Sequence, residues 1–285
     1  MVTLSPRQVR DLLAEHGLSP SRALGQNFVA DPNTVRRIAR LAEVGEGDQV
    51  VEIGPGLGSL TVALAETGAR VTAVELDRHL LPPLRSLVEP LGVRVVQGDA
   101  MRLDWDELLG SSGAPGRPWA LVANLPYNVA TPLVLDLLAG VPAIERMLVM
   151  VQREVAERLA AGPGDKAYGI PSVKVAFRAD AEVVGRVPAT VFVPAPRVDS
   201  ALVRVRRLPE PRVDADPARL FRLVEAGFGQ RRKMVRRSLA GLVDAAGFAR
   251  AEVRPEARAE ELDLDDWARL ARLPAVATPP DDVGG

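Results

Sequence analysis

Short hydrophobic runs alternate with segments of helical period through the middle of the chain. Five of these runs have the length of buried strands, at residues 49–53, 70–74, 93–96, 119–123 and 147–151. The segments that follow or separate them are predicted to be helices, at residues 59–66, 78–88, 131–138 and 152–161. This alternation predicts an α/β fold with a parallel, doubly wound sheet. Two further apolar runs, 173–177 and 201–205, are predicted to complete the sheet.

The pattern changes towards both ends of the chain. Residues 1–48 have helical periodicity, interrupted by the loop-like stretch 23–28. The proline-rich stretch 208–217 is predicted to be a linker, and helical periodicity resumes after it. We therefore predict three parts: a large domain with an N-terminal helical extension, a small helical domain and a disordered tail, over residues 1–208, 209–273 and 274–285.

The composition narrows the classes of function. Of the 285 residues, 47% are hydrophobic, and 36 lysines and arginines are balanced by 37 acidic residues. A nucleic-acid-binding face must therefore come from a local cluster of basic residues. The chain has no cysteine and only two histidines, in no metal-ligand spacing, so we expect no metal site. No stretch resembles a signal peptide or a transmembrane helix, so we expect a cytoplasmic protein with no membrane partner.

A glycine-rich turn follows the first predicted strand. Gly54, Gly56 and Gly58 lie between that strand and a helix, where glycines allow a tight turn and let a ligand approach the backbone. The turn alone is weak evidence, because plain tight turns share it. A dinucleotide fingerprint that starts at Gly54 requires glycine at position 59, where this chain has Ser59. An oxidoreductase that binds a dinucleotide is therefore disfavoured.

Acidic residues follow the next two predicted strands. Glu75 can accept hydrogen bonds from both hydroxyls of a ribose, and Asp99 can bind an adenine amino group. Either acid alone is more typical of a solvated loop, but together with the glycine-rich turn they predict a nucleoside-binding edge. S-adenosylmethionine has no pyrophosphate, so the helix N-terminus at this turn need not bind phosphate if this is the ligand. Glu52 can contact the ammonium group of that ligand through water.

The segment Asn124-Leu125-Pro126-Tyr127 directly follows the fourth predicted strand. Methylation of an aromatic amine requires acceptors for its two hydrogens, because its lone pair is delocalised into the ring. The Asn124 side-chain oxygen and the Leu125 carbonyl can supply them, while Pro126 fixes the turn and the Tyr127 ring stacks on the base. The chemistry then depends on positioning the nitrogen against the methyl donor. The alternative is an ordinary turn with a core tyrosine.

A second aromatic candidate lies in the proline-containing loop 190–200. Phe192 can clamp the other face of an adenine that has been turned out of its stack. An equally good interpretation is a core phenylalanine in front of a strand.

Seven motifs together closely resemble those of one enzyme family. They lie at residues 24–28, 52–61, 75, 98–100, 124–127, 192–200 and 230–233. The family is that of the ribosomal RNA adenine N6,N6-dimethyltransferases, and the resemblance covers nearly the whole chain, from Leu24 to about Leu242. It implies the Rossmann-like sheet of class I methyltransferases, S-adenosylmethionine as cofactor and ribosomal RNA as substrate. Within the family the chain is most similar to the enzymes that dimethylate two adjacent adenines in the 3′-terminal hairpin loop of 16S RNA.

The resemblance also implies which residues make contacts. Cofactor contacts are implied at Gln26 or Asn27, Val29, Gly54, Glu75, Asp99 and Asn124. Contacts with the target base are implied at Asn124, Leu125, Tyr127 and Phe192. Two segments depart from the family pattern. Just before Gly25, Arg22 is the only basic residue and Leu24 replaces an aromatic. In the basic segment, residues 231–237, Arg237 stands where the family often has asparagine, which adds a charge.

A cluster of cations in the small domain is the predicted RNA face. It comprises Arg231, Arg232, Lys233, Arg236 and Arg237. The apolar residues of the same segment share one helical face, so the charges are expected to point outward and contact phosphates. A solvated basic helix is the alternative. RNA shape and an exposed loop base would then supply recognition.

Three other functions compete with dimethylation of 16S RNA by a monomeric enzyme. A 23S RNA adenine methylase that confers antibiotic resistance belongs to the same class. A ribosome-assembly factor that acts mainly by binding belongs to another. The third, a dinucleotide oxidoreductase, is disfavoured by Ser59 and by the Asn124–Tyr127 segment.

Overall fold

The computed structural model describes residues 4–113 and 116–274. The α-helices of the described residues are α1 Pro6–Glu15, α2 Pro32–Leu41, α3 Ser59–Ala65, α4 Leu81–Val88, α5 Trp105–Ser112, α6 Ala130–Gly140, α7 Arg153–Leu159, α8 Ile170–Arg178, α9 Pro217–Gly229, α10 Val235–Ser238, α11 Ala245–Arg250 and α12 Leu264–Ala271. The strands are β1 Phe28–Val29, β2 Gln49–Ile53, β3 Arg70–Glu75, β4 Arg94–Gln97, β5 Trp119–Asn124, β6 Ile144–Gln152, β7 Ala179–Val187, β8 Phe192–Val193 and β9 Ser200–Arg207. Short 3₁₀ helices lie at Glu89–Leu91, Ala189–Val191 and Ala259–Glu261.

A seven-stranded sheet with the order β4-β3-β2-β5-β6-β9-β7 forms the centre of the fold. The strands β4, β3, β2, β5 and β6 are parallel, and β9 is antiparallel to β6. The order reverses between β2 and β5, where a doubly wound sheet opens a crevice at the carboxyl ends of its strands. The doubly wound α/β fold is confirmed, as is the predicted strand at 201–205.

One predicted strand is wrong, because residues 173–177 lie in helix α8. Pro171 lies in the first turn of this helix. Backbone N–H groups there have no partner within the helix, so the absence of an N–H in proline costs no helical hydrogen bond. Val173 and Phe177, four residues apart, are both buried in one apolar cluster. The predicted helix at 78–88 begins later, at Leu81, so that its two prolines also stand in the first turn.

The chain divides into two compact units. The first unit comprises residues 1–160 and 180–208, and the second comprises residues 161–179 and the chain from 209 onward. The single predicted boundary at 208 therefore misses the segment 161–179, which contributes α8 to the second unit. The predicted linker also differs, since Val213 is buried in the core of that unit. Apart from Pro274, the predicted tail lies outside the described residues.

The two units have separate hydrophobic cores. In the first, β2 is buried along its whole length and packs with α2 and α3. In the second, Trp267 is fully buried among apolar residues of α8 and α9. No helix among the described residues is long and apolar enough to cross a membrane.

Candidate functional site

A cleft of about 1100 Å³, counting space open to solvent, lies at the carboxyl ends of the parallel strands. All eight predicted cofactor-binding residues line it, namely Gln26, Asn27, Val29, Gly54, Gly56, Glu75, Asp99 and Asn124. Pro126 of the predicted catalytic segment lines it as well. The structure therefore brings together residues that are up to a hundred positions apart in the sequence.

The glycine-rich turn forms the floor of the cleft. Gly54, Gly56 and Gly58 all have positive φ values, which favour glycine strongly. At Gly56 there is also no room for a side chain, because a Cβ would lie 2.8 Å from Cδ1 of Phe28. The ring of Phe28 thus packs directly on the turn and holds the backbone of the floor in place.

Glu75 connects the end of β3 to this turn. Its Oε2 accepts a hydrogen bond from the Gly56 N–H at 3.0 Å, and its Oε1 accepts one from the Asp77 N–H at 2.8 Å. The side chain is buried, and burial raises the pKa of its carboxyl. Each carboxylate oxygen has a second lone pair, so the group can still accept hydrogen bonds from a ligand.

Glu52 lies beneath the same turn and also lines the cleft. It is 2% exposed, and its Oε2 has no hydrogen-bond partner. Burial raises the pKa of this carboxyl to about 8, and repulsion from Glu75 adds to the rise. The nearby Thr61 hydroxyl offsets only part of this rise. An unpartnered buried oxygen is rare in proteins, so a hydrogen-bonding ligand group is expected at this position.

Two apolar side chains are exposed at the mouth of the cleft. Leu76 is 50% exposed and Met101 is 39% exposed, and both line the cleft. Sequence analysis missed them, although each lies within two residues of a predicted acid, Glu75 or Asp99. The Asp99 carboxylate accepts a hydrogen bond from the Met101 N–H at 3.0 Å, which fixes it beside these side chains.

The loop of residues 23–28 closes one side of the cleft. Gln26 donates from Nε2 to Asp77 at 2.8 Å, and its Oε1 accepts from the Ser21 N–H at 2.8 Å. Asn27 donates from Nδ2 to the Gly25 carbonyl at 3.0 Å. Gln26 therefore ties this loop to the end of β3, next to Glu75.

The predicted catalytic segment forms a turn at the end of β5. The Asn124 Nδ2 donates to the main-chain carbonyl of Asn27 at 3.0 Å. Leu125 is buried and its N–H donates to the Met150 carbonyl at 3.0 Å, so its main chain is held firmly. The Tyr127 hydroxyl lies 3.1 Å from the Ser200 hydroxyl, and burial raises the pKa of the tyrosine.

Phe192 does not line the cleft. It lies in β8, is 3% exposed and packs in the hydrophobic core of the first unit. In this arrangement, a base can reach its ring only after neighbouring side chains move. The placement agrees with the alternative interpretation of a core phenylalanine, and the stacking role stays a prediction.

The basic segment, residues 231–237, lies in the second unit and contains only one turn of helix, α10. Two of its arginines are paired with acids: Arg231 with Glu260 at 2.6 Å, and Arg236 with Glu256 at 3.6 Å. Four cations of the segment are exposed, namely Arg232, Lys233, Arg236 and Arg237, and of these only Arg236 is in one of the two ion pairs. Arg22, in the first unit, is also exposed.

Comparisons with known proteins agree on one family. The family described as ribosomal RNA adenine dimethylase matches residues 18–275. Ribosomal RNA small subunit methyltransferase A of Cutibacterium acnes is 48% identical over 99% of this chain and 97% of its own length. The enzyme of the same name from Streptomyces coelicolor is 50% identical over 94% of this chain and 96% of its own. The crystal structure of the 23S rRNA methyltransferase ErmE is similar, with a TM-score of 0.66, 29% identity, and coverage of 86% of this chain and 98% of that one.

Proposed function

Because this chain belongs to the ribosomal RNA adenine dimethylase family, we propose that it uses S-adenosylmethionine to dimethylate two adjacent adenines of 16S RNA at N6 during small-subunit biogenesis. The observation that carries the proposal is that Glu75, Asp99 and Asn124 line one cleft at the carboxyl ends of the parallel strands β3, β4 and β5. The relatives named for the small subunit are 48% and 50% identical to the chain, whereas the 23S enzyme is 29% identical. A 16S substrate is therefore favoured over a 23S substrate.

The chemistry of the residues that line the cleft is suited to S-adenosylmethionine. When bound, this cofactor supplies an electrophilic methyl group on a sulfonium. Glu75 accepts hydrogen bonds from the ribose, and the exposed Leu76 and Met101 offer apolar contact to the adenine ring. The unpartnered oxygen of Glu52 can accept a hydrogen bond from the ammonium group. Asp99 accepts a hydrogen bond from the adenine amine.

The turn at the end of β5 acts on the target adenine. The Asn124 Oδ1 and the Leu125 carbonyl accept the two hydrogens of the exocyclic amine, which favours a pyramidal nitrogen with a localised lone pair. Tyr127 stacks on the base and holds its nitrogen in line for transfer. The alkylated nitrogen is acidic enough to lose its proton to solvent, so no strong general base is required.

RNA phosphates are bound by the cations of the basic segment that are both exposed and, among the described residues, unpaired. We assign this role to Arg232, Lys233 and Arg237, because Arg231 and Arg236 are already paired with glutamates. Phosphate contacts of this kind give affinity with little dependence on sequence. The shape of the RNA and an unstacked loop base then provide specificity.

Transfer of labelled methyl groups to isolated ribosomal subunits tests the substrate. Subunits from cells that lack this modification are offered separately, and we expect label in the small subunit alone, as dimethyladenine at two adjacent positions. Label in the large subunit alone would identify a 23S methylase. Binding to the small subunit without any label would identify an assembly factor.

The variant Asn124→Ala tests the catalytic assignment. We expect methyl transfer to fall by about 100-fold or more, because the acceptor for one amine hydrogen is lost, while the Kd of S-adenosylhomocysteine changes by only about a few-fold. Asn33→Ala is the matched control, since Asn33 is an exposed residue of α2. Subunit maturation in cells carrying Asn124→Ala, compared with a deletion strain, then separates catalysis from assembly by binding.

A further inference from the structure

Two hydrogen bonds hold the catalytic turn, one at each end. At the start of the turn, the Asn124 amide donates to the main-chain carbonyl of Asn27 at 3.0 Å. At its end, the Tyr127 hydroxyl lies 3.1 Å from the hydroxyl of Ser200. Neither partner belongs to the turn or to the glycine-rich floor of the cleft.

The main-chain carbonyl of Asn27 is fixed by a two-stranded ribbon formed by β1 and β8. In it Phe28 pairs with Val193 and Val29 pairs with Phe192. Asn27 directly precedes one strand of the ribbon, and the Ala30 N–H extends the pairing by donating to the Val191 carbonyl at 2.8 Å. All four paired residues are partly or fully buried, so the carbonyl of Asn27 has little freedom to move.

Ser200 is held as firmly at the other end. It is the first residue of β9, is fully buried, and pairs with Gln152 in the central sheet. The preceding Asp199 accepts hydrogen bonds from the N–H groups of Ala189 and Arg153, at 3.0 and 3.1 Å. The serine hydroxyl is thus presented to Tyr127 from a rigid backbone.

The contact with Asn27 determines which end of the Asn124 amide is free for substrate. An asparagine side chain carries one acceptor and one donor group on the same planar amide. Since a carbonyl can only accept, it binds the Nδ2 of Asn124 and rejects the Oδ1. The oxygen is therefore left to accept a hydrogen from the target amine.

We propose that Ser200 and the main-chain carbonyl of Asn27 are positioning groups for the methyl transfer, which orient Tyr127 and Asn124 respectively. The inference rests on the proposed function, because the turn is taken to act on an adenine amine. Neither group touches the substrate. Through the ribbon, the loop that lines the cofactor cleft sets the geometry of the catalytic turn.

Removal of either hydroxyl tests the Ser200 contact. Ser200→Ala and Tyr127→Phe are each expected to lower kcat by about five- to tenfold, the value of one hydrogen bond, with the Kd of S-adenosylhomocysteine unchanged. The double variant should be no slower than either single variant, because both lack the same bond. The proposal would be overturned if the loss of kcat in the double variant equalled the product of the two single losses, or if Tyr127→Phe kept full activity. Ser172→Ala removes a buried serine of the second unit and is the matched control.

A stacking measurement makes this test independent of turnover. An RNA hairpin with 2-aminopurine at the target position reports by fluorescence whether the base stacks on Tyr127. We expect weaker quenching with Ser200→Ala and Tyr127→Phe than with the wild type, at saturating protein. Unchanged quenching would contradict the positioning role even if the chain methylated another RNA.

Asn124→Asp tests the contact with Asn27. A carboxylate has two acceptor oxygens. If the side chain had only to accept a hydrogen bond from the target amine, Asn124→Asp would therefore retain activity. Because one oxygen would face the Asn27 carbonyl, we expect a loss of about 100-fold at pH 8, with partial recovery towards pH 6 as the protonated acid donates to that carbonyl. Wild-type activity at pH 8, or no recovery at low pH while S-adenosylhomocysteine still binds, would overturn the assignment.

Discussion

The cofactor cleft of the first unit and the basic segment of the second use ionisable side chains in opposite ways. In the cleft, Glu52 and Glu75 are 2% and 5% exposed, and backbone N–H groups hold the carboxylate of Glu75. In the basic segment, Arg232 and Lys233 are exposed. The role of a buried ionisable group depends on its individual hydrogen bonds, so the replacement of a single atom disturbs it. An exposed charge acts through attraction that salt screens, so another residue of the same charge can replace it. The cofactor cleft therefore requires exact geometry, whereas the basic segment requires only positive charge.

The largest effect is expected from the titration of Glu52. Its pKa is raised to about 8 from 4.5 in the unfolded chain, so the native state binds one more proton between these values. The free energy of unfolding should therefore fall as pH rises through this range, by up to about 1.4 kcal/mol per pH unit, and level off above pH 8. Glu52→Gln should reduce this slope and leave the part that Glu75, whose pKa is also raised, contributes. Urea unfolding between pH 5 and 9 measures it.

The control for this titration is Glu46→Gln, which changes an exposed glutamate. It should leave the slope of wild type intact. If Glu52→Gln and wild type showed the same pH dependence, the contrast between buried and exposed carboxylates would be broken.

Glu75→Gln is expected to have the next largest effect, on cofactor affinity. The substituted amide must turn an N–H towards either the Gly56 or the Asp77 N–H, and it also loses the charge that a ribose hydroxyl binds. The Kd of S-adenosylhomocysteine should rise by about 100-fold, as calorimetry would show. RNA affinity should not change. A rise of less than about threefold would show that the buried carboxylate does not hold the ligand.

Gly56→Ala tests how rigid the glycine-rich floor of the cleft is, and the free energy of unfolding is the only quantity measured. Both Gly56 and Gly92 have positive φ, at 60° and 80°, but only Gly56 faces a nearby side chain, the ring of Phe28. Gly92→Ala should cost about 1 kcal/mol of unfolding free energy, and Gly56→Ala about 1–3 kcal/mol more because of the clash. Equal losses in the two variants would mean that Phe28 moves freely away from the turn.

The smallest effect is expected in the basic segment. The double variant Arg232→Ala, Lys233→Ala should weaken RNA binding by about tenfold at low salt and reduce the salt slope by about 1.4–1.8, two phosphate contacts. Arg231→Ala should change the salt slope less and lower the melting temperature, because its partner Glu260 is left alone. Filter binding across a salt series distinguishes these outcomes. An equal change of slope in both variants would remove the distinction between paired and exposed arginines.

The sequence predicts the cleft well because strand ends in a parallel sheet share one edge. Once β2, β3 and β5 are identified, Glu75 and Asn124 must lie near the glycine-rich turn, and both line the cleft. What the sequence does not reveal are contacts between distant positions. The pairing of Arg231 with Glu260 and the contact of Tyr127 with Ser200 have no local pattern.

Helix α8 shows a different limit of sequence analysis. Its apolar residues Val173, Val175 and Phe177 alternate as in a strand, although Val173 and Phe177 also lie one helical turn apart. Packing against apolar residues of α9, far along the chain, favours the helix. Local periodicity alone cannot decide between the two in so short a run.

The second unit is built from two pieces of chain, residues 161–179 and the part after 209. Its first piece therefore leaves the ribosome during synthesis while the strands that complete the first unit are still to come. Until α9 emerges, the apolar face of α8 has no partner from its own core. A chain cut after residue 208 would keep that bare face permanently and should aggregate, so the catalytic unit cannot be isolated by trimming one end.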